Sequence, residues 1–132
     1  MKDRYVFPAV FSYAPEGITI TFPDLPGCIS EADSDAAAYQ NAHDALASRL
    51  YADETDGTPI PTPTALLDVS FGDSERAVLV DVEMADVRER IKPVYVKKNV
   101  TLPQWLNKQA TEAGVNFSQV LTEALKQKLG AA

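Results

Sequence analysis

Lys97, Asn99 and Thr101 alternate along the run VKKNVTLPQW, and each carries a side chain that can hydrogen-bond. In extended backbone, residues two apart share a face, so these three project together. Val96, Val100 and Leu102 occupy the other face, and Lys98 breaks it. Donors on a narrow strand suit base edges in a DNA groove; the plainer reading is a solvated strand face. The remaining chemistry-bearing residues are scattered. His43 is the single histidine and has no second histidine with which to build a metal site. Cys28, after PDLPG, lacks a basic flank to activate its thiol and reads as a small buried side chain. Asp24 reads as a turn residue. These residues define no catalytic site, no metal site and no cofactor.

The lysine run must be positioned by the elements C-terminal to it. Pro103 suits the first position of a helix, and QWLNKQATEAG continues with Leu106 and Ala110 at i,i+4 spacing beside Trp105 and Ala113. Gly114 is a C-terminal stop. Asn116 as N-cap and Gln119 three residues on have a capping-box pattern, opening a second helix at NFSQVLTEALKQKL. Its apolar face holds Phe117, Val120, Leu121, Ala124, Leu125 and Leu129. One strand and two helices in about forty residues make an unstable monomer, because the strand has no neighbour and the helices have only each other. A homodimer pairing strand to strand cures both faults, with Val100, Leu102, Trp105, Leu106, Val120, Leu121 and Leu125 as its core.

Upstream, RYVFPAVFSYAPEGITITF reads as two strands joined by a reversal at APEG, with Ile18, Ile20 and Phe22 alternating against Thr19 and Thr21. Pro8 cannot donate to a ladder, which predicts an edge or a bulge there. A third short strand is expected around CISEA. Ser34 then caps a helix over DAAAYQNAHDALASRLYADE, whose Ala38, Ala42, Ala45 and Leu46 recur at helical spacing to pack on the sheet. ETDGTPIPTPTAL reads as an extended surface connection, ALLDVSF as a short strand and RAVLVDVEM as a stronger one.

The 132 residues have a net charge of -7, unevenly spread. Residues 1–92 carry 7 Lys+Arg against 17 Asp+Glu, a balance of -10, and residues 93–132 carry 5 against 2, a balance of +3, which together restore -7. An acidic module thus precedes a basic one suited to a polyanion, with Pro93 as the boundary. A lone cysteine, no apolar run approaching a membrane span and no signal-peptide pattern at MKDRYVFPAVF point to a cytoplasmic protein away from membranes.

The order of strand alternation, proline, glycine stop and capped helix over residues 94–129 resembles the ribbon-helix-helix DNA-binding domain. That resemblance implies an intertwined dimer whose ribbon enters the major groove. Lys97, Asn99 and Thr101 then read bases, while the amides near Phe117 and Ser118, with the Ser118 hydroxyl, hold a phosphate. FPAVF, followed by GITITFPDLPGCISEADSDAAAYQNAHDAL, resembles the N-terminal domain of the HicB antitoxin family. The fold implied is α+β: an antiparallel, partial RNase H-like sheet packed by one helix over 1–92, then the dimerising ribbon-helix-helix over 93–132.

Such an antitoxin binds and neutralises a small HicA-type toxin that cleaves messenger RNA. It also represses its own operon at an inverted-repeat operator, and the resemblance suggests a tetramer through the acidic domains. The RNase H likeness raises a nuclease reading through Asp81 and Glu83, with Asp24 and Asp44 elsewhere. No metal motif joins them, and a solvated strand face is the simpler account. A ribbon-helix-helix regulator that senses a small ligand and has no toxin is the alternative.

Overall fold

The computed structural model describes residues 2–92 and 95–131. The chain divides into two compact units, Met1–Val94 and Tyr95–Ala132. The expected boundary residue, Pro93, lies outside the described residues.

The first unit is a four-stranded antiparallel sheet covered on one face by a long helix. Its strands are β1 (Arg4–Ala14), β2 (Gly17–Thr21), β3 (Ile29–Ala32) and β4 (Glu75–Glu83), in the order β3-β2-β1-β4. The hairpin closes on Ala14 opposite Gly17. Gly17 sits at φ 146°, and a Cβ there would lie 2.9 Å from the Ala32 carbonyl oxygen, so only glycine lets β3 approach this closely.

Pro8 is accommodated by register. Tyr13 donates its N–H to Ser74 and Met84 to Asp3, at the two ends of an unbroken β1–β4 pairing. Hydrogen-bonded and non-bonded pairs alternate along an antiparallel ladder, so Pro8 and Leu79 form a non-bonded pair. The missing N–H therefore faces away from β4, on a side where β2 pairing begins only at Val10. An edge, with no bulge, is the outcome.

α1 (Asp35–Asp56) begins where Ser34 Oγ accepts the Ala37 N–H at 3.2 Å and ends at Gly57, φ 72°. It lays Ala38, Ala42, Leu46 and Leu50 on the sheet, against Tyr5, Phe7, Phe11, Ile18, Ile20, Val80 and Val82. Small residues on the first turns let the helix approach closely. Leu46 and Leu50 have no exposed surface, and each full burial is worth about 1.5–3 kcal/mol.

Two expectations change. ALLDVSF forms no strand: Leu66–Asp68 is one 3-10 turn within a segment that follows the prolines, and Val69 is its buried residue. RAVLVDVEM is a strand only as far as Glu83: Met84, expected at its end, opens α2 (Met84–Ile91), which takes in RERI and buries Met84.

In the second unit, α3 (Gln104–Glu112) follows Pro103, which occupies the cap, one position earlier than expected. Gly114, φ 73°, follows α3 as a stop. α4 (Phe117–Leu129) is capped by Asn116 Oδ1 accepting the Gln119 N–H at 3.1 Å. The reciprocal half of the capping box is absent, because Gln119 Nε2 turns to Glu123 Oε1 at 3.4 Å. Residues 95–103 form no strand within the single chain; a strand needs a neighbour to supply its ladder.

Candidate functional site

The second unit has no core of its own. Among its described residues none is buried, and only Ala110 is even half-buried. Val100, Leu102, Trp105, Leu106, Val120, Leu121 and Leu125 are all exposed, Trp105 to 63% and Leu125 to 51%. α3 and α4 are each amphipathic with the apolar side unpartnered, a cost that soluble proteins avoid at this scale.

A surface cavity of about 630 Å³ runs between residues 95–99 and α4, bringing Lys97 and Asn99 to Ser118 and Thr122. Thr101 and Phe117 do not line it. The N–H groups of Phe117 and Ser118 open α4, where a helix supplies no acceptor, and Asn116 satisfies only Gln119. Thr122 Oγ donates to the Ser118 carbonyl at 2.8 Å. Lysine, amide, hydroxyl and free helix N–H groups thus share one surface, a set that suits an anion.

The first unit offers carboxylates. A depression of about 400 Å³ at the hairpin end is lined by Glu16, Glu31, Asp33 and Asn41, among others. Another, of about 220 Å³, is lined by His43, Asp81, Glu83, Asp86, Val87 and Arg90. Asp81 and Glu83 face Arg4 at 3.1 and 3.6 Å. Asp24 and Asp44 do not join them: Asp24 accepts from Thr64, and Asp44 lies 3.5 Å from His43 Nδ1. Among the described residues no group of His, Cys, Asp and Glu could hold a metal ion. Cys28 is buried, and burial pushes its thiol above the usual range although Arg49 opposes it.

Thr64 and Arg49, not singled out from the sequence, hold this unit in shape. Thr64 donates its N–H and Oγ–H to the Asp24 carboxylate at 2.9 and 2.5 Å, pinning the proline-rich segment to the PDLPGC turn. Arg49 joins Asp53 at 3.2 Å and the Pro26 carbonyl at 2.7 Å, so α1 holds the other side of that turn. The i,i+4 spacing of Arg49 and Asp53 was a legible signal; Asp24 and Thr64, forty residues apart, left none.

An all-antiparallel sheet under one long helix, joined in sequence to an amphipathic helix pair, is an architecture shared with known proteins. The family model of HicB-like antitoxins of bacterial toxin-antitoxin systems matches residues 8–124, and the chain belongs to that family. A chain of a toxin-antitoxin complex from Streptococcus pneumoniae shares the fold at TM-score 0.58 and 22% identity, over 95% of this chain and 99% of that one. The crystal structure of antitoxin HicB3 matches at TM-score 0.52 and 25% identity, over 97% and 100%. A HicA3 and HicB3 toxin-antitoxin complex matches at TM-score 0.46 and 28% identity, over 60% and 96%. Curated protein sequences give no significant match. No helix among the described residues is long and apolar enough to cross a membrane.

Proposed function

We propose that this chain, in the cytoplasm, neutralises a HicA-type toxin that cleaves messenger RNA by binding it through the acidic unit. Two copies join through residues 95–131 as a ribbon-helix-helix dimer that binds an inverted-repeat operator and represses the chain's own operon. One observation carries the dimer and its DNA role: in the unit from Tyr95 onward no described residue is buried, and twelve large apolar side chains are exposed, the seven of the expected dimer core among them. A second copy covers them and gives residues 96–102 a strand partner. The paired ribbon then presents Lys97, Asn99 and Thr101 twice, with the start of α4 at Phe117 and Ser118 beside it as phosphate holder.

The toxin reading is supported by family membership and by the charge of residues 1–92, -10, which favours fast association with a basic RNA-binding protein. The sheet order with α1 on one face supports reading this unit as partial RNase H-like; the acidic units then hold dimers together as tetramers. In this role the chain has no catalysis, cofactor or metal.

The test is co-expression of the full chain with the product of the adjacent open reading frame. Rescue of growth, a stable complex and repression of a reporter behind the operon's own promoter are the expected results. Repression without any partner protein would favour the ligand-sensing regulator.

A further inference from the structure

The two edges of the sheet are treated differently. β3 is four residues long, and Asn41 Nδ2 reaches from α1 to its Glu31 carbonyl at 2.9 Å. β4 is nine residues long and, among the described residues, pairs only with β1. Because Tyr13–Ser74 and Asp3–Met84 are bonded pairs, Ala77, Leu79 and Asp81 direct their backbone N–H and C=O groups away from β1. Among the described residues these groups have no hydrogen-bond partner. An exposed edge of this length is a template for another strand, and native proteins usually block it.

Here the block is partial: among the described residues Glu75, Arg76, Asp81 and Glu83 charge the two ends of β4 and the Leu66–Asp68 turn lies close to the strand, whereas the middle, residues 77–80, is uncharged. The middle of β4 carries no lysine or proline, and Arg76, near its start, is occupied with the carbonyls of Asp73 and Glu75. Beside the edge lies a groove lined by Asp81, Glu83, Asp86 and Arg90, in which Arg4 pairs with Asp81 and Glu83 and Asp86 has no ion pair among the described residues, while Leu79 and Val6 form an exposed apolar strip on the outer face.

We propose that the free edge of β4 is where an extended segment of the basic toxin adds as a fifth strand. The inference rests on the toxin reading above and names its docking site. Backbone hydrogen bonds to Ala77, Leu79 and Asp81 supply affinity. A Lys or Arg side chain passing Asp86, or exchanging with the exposed Arg4 at Asp81 and Glu83, supplies selectivity. A second copy of this chain fits less well. Antiparallel pairing of β4 with itself, centred on Leu79, sets Glu75 opposite Glu83 at both ends, and like charges directly opposite are destabilising.

Residue-resolved amide exchange on the full chain tests this, with the protein encoded by the adjacent open reading frame as the probe. In the free protein the amides of Ala77, Leu79 and Asp81 exchange fast, whereas those of Val78, Val80 and Val82, bonded to β1, exchange slowly. Saturation with the probe slows the first set by about tenfold or more and restores an unbroken protected strand.

Leu79→Pro removes one outward N–H and leaves the β1 ladder intact, because Pro8 already occupies the same kind of position directly opposite. It should weaken the complex about ten- to a hundredfold. Asp86→Arg, which alters no strand backbone, should weaken it most at low salt and decides the matter if the proline variant fails to fold. A complex that forms without protecting residues 77, 79 and 81, or a folded proline variant with native affinity, removes the edge while toxin binding stands. Protection already present in the free protein and growing with concentration assigns the edge to a second copy and overturns the proposal. No complex with the probe removes both readings.

Discussion

Arg88 grips Glu54 with two parallel hydrogen bonds, Nη2 to Oε1 at 2.6 Å and Nε to Oε2 at 3.0 Å, across thirty-four residues of chain. The same guanidinium reaches Asp3 at 2.7 Å and the Lys2 carbonyl at 2.8 Å. These contacts, from Glu54 first and Asp3 second, hold its pKa above the ordinary arginine value. One side chain therefore ties the last turns of α1, the start of the chain and α2 together, at the end of β4 where the sheet hands over to a helix.

Arg88→Ala should cost about 2–4 kcal/mol, because the Glu54 side chain is only 9% exposed and would be left as a charge without its partner. Glu54→Gln keeps an acceptor and removes the charge, so it should cost less. Urea unfolding of both variants measures the difference; equal losses would show that a neutral hydrogen bond retains none of the stabilisation, and no loss for Glu54→Gln would show that the charge adds nothing beyond it.

Glu75 links pH to the β1–β4 register. Ser12 Oγ–H donates to its carboxylate at 2.5 Å and the Gly72 N–H at 2.7 Å, and these bonds, Ser12 first, lower its pKa. A lowered folded value means the contribution is present above the unfolded pKa and is lost as pH falls through the folded one. Ser12→Ala should move the Glu75 titration upward, toward the usual carboxylate range, as read by carboxyl NMR. An unmoved midpoint would assign the depression to the backbone donor alone.

Tyr13 behaves in the opposite sense. Its hydroxyl donates to Asp35 Oδ1 at 2.7 Å, and this bond is the first cause of its raised pKa. The contribution is complete below the unfolded tyrosine value and disappears as pH rises through the folded one. Asp35→Asn should bring tyrosinate absorbance in at lower pH; an unchanged absorbance titration would exclude the bond in solution.

Leu121→Asp should dissolve the dimer proposed for the second unit. Leu121 is already 37% exposed in the single chain, so a charge there costs little unless a second copy covers it. Covered, it should cost roughly 3 kcal/mol or more. Sedimentation decides between the two, and a variant that remains dimeric would place Leu121 outside the interface.

Asn99→Ala should cost about 1–3 kcal/mol on the operator and little on scrambled DNA, whereas Lys98→Ala should weaken both alike or neither. Anisotropy on the two duplexes at two salt concentrations reads this directly. Equal losses for Asn99 would reduce the ribbon to a nonspecific anion surface.

Local order was legible in the sequence because its causes are local. Ser34, Asn116 and Gly114 act through their own turn of backbone, and Ala38, Ala42, Leu46 and Leu50 share one face of a helix by spacing alone. Alternation in GITIT and the break at three prolines needed no partner to be recognised. Only tertiary structure decided that β1 is central, that Pro8 falls on a non-bonded pair and that β4 keeps an open edge, since register between segments seventy residues apart leaves no trace in either one. ALLDVSF illustrates the limit: its apolar residues suit a strand, yet it joins neither edge of the sheet and turns through Leu66–Asp68 with Val69 buried, which its own residues do not announce. The converse holds at residues 96–102, where alternation is plain and one chain supplies no neighbour to bond it.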